Sequence, residues 1–174
     1  MDGEISRLVV ALADALRTRG LRISTAESCT GGLIAAACTD LAGSSDWFER
    51  GFVSYSNAAK TELLGVPDAL IERHGAVSEP VARAMADGAL QRSRAQLSVA
   101  VTGIAGPGGG SAAKPVGLVW LAWAWRDADG APHGDALACR FDGDRAAVRQ
   151  ATVRCALQGL IARCPGGAPP APLP

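Results

Sequence analysis

The chain has 174 residues, with 17 Lys plus Arg against 17 Asp plus Glu and a formal net charge of zero. That length suffices for one domain with a real core, and the charge balance leaves no global field to draw in nucleic acid or an anionic membrane. No run of like charges and no basic cluster interleaved with aromatics hides inside that balance, which argues against a nucleic-acid partner.

The start, Met1-Asp2-Gly3-Glu4, lacks the charged-then-apolar plan of a signal peptide, and the longest apolar stretch, Val116 to Trp125, is too short to span a bilayer. A soluble cytoplasmic protein with no membrane partner is expected. The cysteines are Cys29, Cys38, Cys139, Cys155 and Cys164, odd in number and without a C-x-x-C pair. They read as reduced, buried residues and not as a disulfide framework or a zinc site.

Ile5, Leu8, Val9, Leu12 and Leu16 share one helical face, and Gly20 is a natural stop. Leu21 to Ala26 reads as a strand, and Gly31 to Leu41 as an alanine-rich helix broken by Gly43-Ser44-Ser45. A second strand is expected over Phe48 to Tyr55. Asn57 suits the N-cap of a helix through Leu64, with Lys60 in its first turn. Gly65 closes that helix, Pro67 begins another over Asp68 to Arg73, and Ser78-Glu79-Pro80 opens a longer one to about Ser93.

Leu97 to Val101 is a short β-prone run that ends in the glycine-rich loop Thr102 to Gly110. Val116 to Trp125 is the strongest strand signal, Asp127 to Gly130 a turn, and Ala136 to Phe141 its hairpin partner. Asp142-Gly143-Asp144 caps a final helix ending near Arg163, leaving 1–164 as one domain and 165–174 as a disordered Pro/Gly/Ala-rich tail. Strands alternating with helices, plus one hairpin, predict a three-layer α/β/α domain around a mixed, mostly parallel sheet.

The stretch from Ser24 to Leu33 predicts a strand feeding a helix through a tight turn, with Ser28 and Cys29 at the bend. Ser28 is placed to attack a carbonyl while N–H groups of Thr30, Gly31 and Gly32 hold the oxyanion. The local pattern alone favours a plainer role, Ser28 or Thr30 capping the helix, and for Cys29 a small buried residue. A serine needs a base. His74 and His133 are the only histidines, and neither has an evident carboxylate partner in the sequence.

Lysine is the better candidate, because only Lys60 and Lys114 occur. A free amine at Lys60 near neutrality needs a pKa depressed by ~3 units, about 4 kcal/mol, which burial and a helix N-terminus can supply. Tyr55, the only tyrosine, is placed to relay a proton or orient that amine, although taken in isolation it reads as a core or rim aromatic. The loop from Gly103 to Gly110 lets backbone approach a ligand, but it lacks the Gly-Lys-Ser/Thr of a Walker A loop. Arg145, in the first turn of the last helix, offers a fork for a phosphate, with a surface arginine as the ordinary alternative.

Five stretches occur in one register: Thr25-Ala26-Glu27-Ser28-Cys29-Thr30-Gly31-Gly32, Gly51-Phe52-Val53-Ser54-Tyr55-Ser56-Asn57 with Lys60, His74-Gly75-Ala76-Val77-Ser78-Glu79-Pro80-Val81, Gly103-Ile104-Ala105-Gly106-Pro107 and Lys114-Pro115-Val116-Gly117. Together they closely resemble the CinA C-terminal domain family, the nicotinamide-nucleotide amidases, from the first helix to about Arg163.

The resemblance implies an α/β/α fold, a homo-oligomer, and hydrolysis of the carboxamide of nicotinamide mononucleotide to nicotinate mononucleotide and ammonia without metal or cofactor. It places the nucleophile on Ser28, the general base on Lys60 and an accessory tyrosine on Tyr55. Gly103, Ile104, Ala105 and Gly106 are then expected to border the nucleotide, with Arg145 on its phosphate. Two other readings stay open: a non-catalytic nucleotide-binding module of competence-related proteins, and a serine–lysine hydrolase of another amide or ester.

Overall fold

The computed structural model describes residues 3–164; the tail expected from Pro165 onward lies outside them. In chain order the elements are α1 (Gly3–Arg19), β1 (Ile23–Glu27), α2 (Leu33–Thr39), β2 (Phe48–Val53), α3 (Asn57–Leu64), α4 (Asp68–His74), α5 (Glu79–Gln91), β3 (Leu97–Gly103), β4 (Leu118–Arg126), β5 (Pro132–Arg140) and α6 (Arg145–Arg163). The strands form one sheet in the order β2-β1-β3-β4-β5. β1 pairs in parallel with β2 and β3, while β4 is antiparallel to both β3 and β5. Four strands thus point one way, and β4 alone opposes them.

Strand alternation gives the sheet two unlike faces. One carries large side chains, among them Ile23, Leu97, Val99, Val101, Leu121 and Trp123, packed under α1, α2 and α6. The other is built of small residues, Ala26, Ala100, Ala122 and Ala124, covered by α5 with α3 and α4 beside it. The small face lets α5 come so close that sheet hydroxyls reach its backbone: Ser98 Oγ donates to Ala86 O at 2.8 Å and Ser24 Oγ to Ala89 O at 3.3 Å. The α/β/α architecture and the mixed sheet expected from the sequence are both present.

Several boundaries differ by a few residues, and three of them have a local reason. The N-cap of α3 is Ser56, not Asn57, because the Ser56 hydroxyl accepts from Ala59 N at 3.0 Å. β5 starts at Pro132 and not at Ala136, because Asp127 tightens the turn by accepting from Asp129 N and Ala131 N at 3.0 and 2.8 Å. α2 is delayed to Leu33, because Gly31 and Gly32 before it take φ of 59° and 99°, values that side chains resist.

Gly88 sets how near α3 can come to α5. It lies on α5 where the C-terminal end of α3 docks, and a Cβ there would run into the Leu64 carbonyl. Arg92 Nη1 donates to that same carbonyl at 2.8 Å and secures the contact. The helix that carries Lys60 therefore rests on a glycine. Gly88→Ala is expected to cost roughly 1–3 kcal/mol by overpacking, measured as a lower urea midpoint with an unchanged slope; an unchanged midpoint would show that the contact is slack.

Candidate active site

The site forms where β1 and β3 end. The chain leaves β1 for β2 through α2 on one face of the sheet and returns to β3 through α3–α5 on the other. A crevice at the carboxyl ends of β1 and β3 results from that reversal, which is where ligands bind in open α/β sheets. Ser28 N donates to Val101 O at 3.0 Å and Gly31 N to Ser28 O at 3.1 Å, so the backbone on both sides of the serine is pinned.

Ser28 and Lys60, 32 positions apart, meet there, with Lys60 Nζ 3.2 Å from Ser28 Oγ. The remaining contacts of the amine are two main-chain carbonyls, Ser54 O at 3.2 Å and Tyr55 O at 3.1 Å. Lys60 is 1% exposed. Burial, the leading cause, holds its pKa below the ordinary lysine value, with an opposing pull from the neighbouring Cys29. A neutral amine has two N–H bonds and one lone pair. Two carbonyls accept the former, so the lone pair falls toward the serine.

Cys29 faces the opposite fate. Burial pushes its thiol up to about 11, so it stays protonated and non-nucleophilic near neutrality. All five cysteines are buried and free.

A cleft of about 220 Å³ opens beside the pair, lined among others by Tyr55, Thr102, Gly103, Ala105 and Arg145. A neighbouring cleft of about 470 Å³ shares Ala105 and Arg145 and adds Arg149 and the first residues of α6. Gly106 enters through its carbonyl, which accepts from Arg145 Nη1 at 2.9 Å. Ile104 does not line either cleft; its backbone N–H and C=O are paired to Leu118 and Gly117 instead.

Three expectations are corrected, and the proposed Tyr55 relay gains no contact. Gly31 N–H is taken by Ser28 O, and Gly32 N–H by the Glu27 carboxylate at 3.0 Å, so neither glycine has a donor to spare for an oxyanion. The donors left at the turn are the N–H groups of Thr30 and Cys29; no oxygen of the described residues accepts either, and the Cys29 N–H is turned toward its own thiol. Neither Ser28 nor Thr30 caps α2; Glu27 does. Tyr55 is 59% exposed and its phenol accepts from Arg145 Nη2 at 3.4 Å, so the proton relay has no hydrogen bond to Lys60 or Ser28 behind it. Lastly, His133 does have a carboxylate partner, Asp127 at 3.0 Å, but the pair sits at the β4–β5 turn against Trp125 and lines no part of the Ser28 cleft. His74 ends α4, and its carbonyl accepts from Lys114 Nζ at 2.7 Å.

Two residues escaped the sequence reading. Glu27 is 1% exposed, and its carboxylate accepts from Thr30 Oγ1 at 2.7 Å, Thr25 Oγ1 at 3.3 Å and the N–H groups of Gly32, Ile34 and Ala35 at 2.8–3.0 Å. Its signal was a lone acid closing a strand just before a helix. Arg149 Nη2 donates to Thr30 O at 2.8 Å and so ties α6 to the Ser28 turn; only its place one turn after Arg145 could have marked it.

An α/β/α domain that sets a buried amine against a serine hydroxyl at its sheet switch point defines a candidate hydrolytic site. The comparisons narrow the class. The CinA C-terminal domain matches residues 5–164, and the chain belongs to that family. It is 50% identical over 159 residues to nicotinamide-nucleotide amidohydrolase PncC of Escherichia coli K12, covering 91% of this chain and 94% of that one. The PncC of Pseudomonas putida is 53% identical over 157 residues, with 90% and 95% covered. Among solved structures, the competence/damage inducible protein CihA of Agrobacterium tumefaciens superposes with a TM-score of 0.86 at 51% identity, over 93% of this chain and 96% of that one.

The buried amine has a thermodynamic signature. The unfolded chain keeps the Lys60 proton up to the ordinary lysine range, while the folded chain releases it at lower pH, so stability rises with pH across that interval. Lys60→Met is therefore expected to be more stable than the parent below the folded-state pKa, and the advantage should shrink as pH climbs through that pKa. Urea unfolding at a series of pH values measures the difference; an advantage constant with pH would contradict a buried, titrating amine.

Proposed function

We propose that this chain hydrolyses the carboxamide of nicotinamide mononucleotide, giving nicotinate mononucleotide and ammonia. The observation that carries the reading is the 3.2 Å contact between Ser28 Oγ and a lysine amine shut away from water. The amidohydrolase names of relatives at about half identity over nine-tenths of the chain support the substrate.

In this reading neutral Lys60 takes the Ser28 proton as Oγ attacks the carboxamide carbon. The oxyanion that forms is met by the N–H groups of Cys29 and Thr30, fixed in place before the charge develops. The C–N bond then breaks, the Lys60 ammonium returns its proton to the departing nitrogen, and ammonia leaves. Water attacks the resulting ester, Lys60 again takes the proton, and return of that proton to Oγ frees the acid and restores the pair.

The nucleotide would run from this pair along the edge of the sheet to the start of α6. There Arg145 and Arg149 offer two positive charges against the single capping carboxylate of Asp144, at a helix N-terminus that favours anions. Gly103, Ala105 and Gly106 border that path. Tyr55, exposed on the rim beside Arg145, is assigned to binding: its ring face suits a cationic pyridinium.

Ammonia release from nicotinamide mononucleotide tests the reading. Ser28→Ala and Lys60→Ala should each lower kcat at least ~10³-fold with circular dichroism unchanged. Full activity in Ser28→Ala would remove the nucleophile. A separate comparison tests Tyr55: Tyr55→Phe should stay within about tenfold of wild type, whereas Tyr55→Ala should raise KM. A collapse of kcat in Tyr55→Phe would restore the proton relay.

A further inference from the structure

Ser28 and Thr30 are both residue types that cap helices, and both stand just ahead of α2. A helix start needs acceptors for its first N–H groups, so a serine in this position is under a standing pull toward the wrong partner. If its hydroxyl turned to α2, the amine of Lys60 would lose the oxygen it activates.

The structure shows what meets that need instead. Glu27 sends its carboxylate to the α2 side of the sheet, where Oε2 accepts from Thr30 Oγ1, Gly32 N and Ile34 N, and Oε1 from Ala35 N and Thr25 Oγ1. α2 has no cap from its own N-cap residue, Gly32. Alternation along β1 puts the next residue, Ser28, on the opposite face, toward Lys60 on α3. One residue therefore satisfies the helix while its neighbour stays available for chemistry.

We propose that Glu27 is the positioning residue of this site: by capping α2 from the previous position in the chain, it keeps the Ser28 hydroxyl off the helix and on the Lys60 amine. The inference rests on the serine–lysine reading above. Thr30, which now donates its hydroxyl to Glu27, is the same device one step on: its oxygen is turned away from capping by a stronger acceptor. Glutamine in place of Glu27 keeps the shape but puts an NH₂ group where one oxygen accepted, so it faces N–H donors it cannot satisfy. The turn is then expected to recruit Ser28 or Thr30 as an acceptor, and the nucleophile is lost to part of the population.

A purely structural role would lower stability and leave each folded molecule as reactive as before. The discriminating measurement is thus the reactivity of Ser28 per folded molecule, read with an alkyl fluorophosphonate. In that step Oγ forms a bond to phosphorus, fluoride leaves, and the Ser28 proton passes to Lys60. Intact mass and peptide mapping follow the adduct at a temperature where circular dichroism shows every variant folded.

Glu27→Gln is expected to be labelled at least about tenfold more slowly than wild type, with a matching fall in kcat for the mononucleotide and KM within about threefold. Thr30→Val, which removes the shortest bond to the carboxylate and supplies no competing cap, should fall several-fold and serves if Glu27→Gln does not fold. Equal labelling of wild type and of the folded variants overturns the positioning role while leaving the nucleophile standing. Wild type that takes no label at Ser28 overturns both.

Discussion

The structure turns on an amine taken out of water. A lysine that is 1% exposed loses hydration worth several kcal/mol to its charged form, and it is tolerated only where the neutral form is well received. Here Ser54 O and Tyr55 O accept two hydrogens, and the third direction holds Ser28 Oγ. Those carbonyls belong to the link between β2 and α3, so the strand exit and the helix entry together fix the amine. Burial and direction are one arrangement.

The sheet then decides what can reach that amine. Its α5 face is made of alanines bridged by serine hydroxyls, and its α1–α6 face of large apolar side chains. A thin layer on one side lets α5, and α3 behind it, draw close to the carboxyl ends of the parallel strands, so that a side chain from α3 can touch the last turn of β1. Gly88 is the clearest mark of that closeness, since the Leu64 carbonyl fills the space a Cβ would need. The same alternation that sorts large from small residues also sorts Glu27 from Ser28, sending a structural carboxylate and a candidate nucleophile to opposite faces.

Much of this was legible before any coordinates. The strand–turn–helix at Ser24 to Leu33, the helix bearing Lys60 and the hairpin after Val116 all carry strong local signals, because glycine, proline and apolar periodicity act over a few residues. Resemblance joined Ser28 to Lys60, and the fold brings them within hydrogen-bonding distance. What local pattern misjudged was competition for hydrogen bonds. Ser28, Thr30, Gly31 and Gly32 all looked free to serve helix or ligand, and the outcome depends on Glu27, whose reach of eight residues to Ala35 leaves no periodic trace. Tyr55 is divided in a related way: its main chain goes to the amine and its phenol to Arg145, and residue type alone does not separate the two.

The two helix starts at this edge are used in opposite ways. That of α2 is closed from within, its N–H groups spent on an internal carboxylate. That of α6 is capped only at Ala147 N by Asp144 and is flanked by Arg145 and Arg149. An anionic ligand group would meet a carboxylate at the first and a positive field at the second. In the proposed reading, that contrast orients the nucleotide with its charged end at α6 and its carboxamide toward Ser28. The arginines belong to this sorting as well: one nitrogen of Arg145 is spent on Gly106 O and one of Arg149 on Thr30 O. Those bonds set the forks in position, and they join the start of α6 to the loop after β3 and to the turn that holds Ser28.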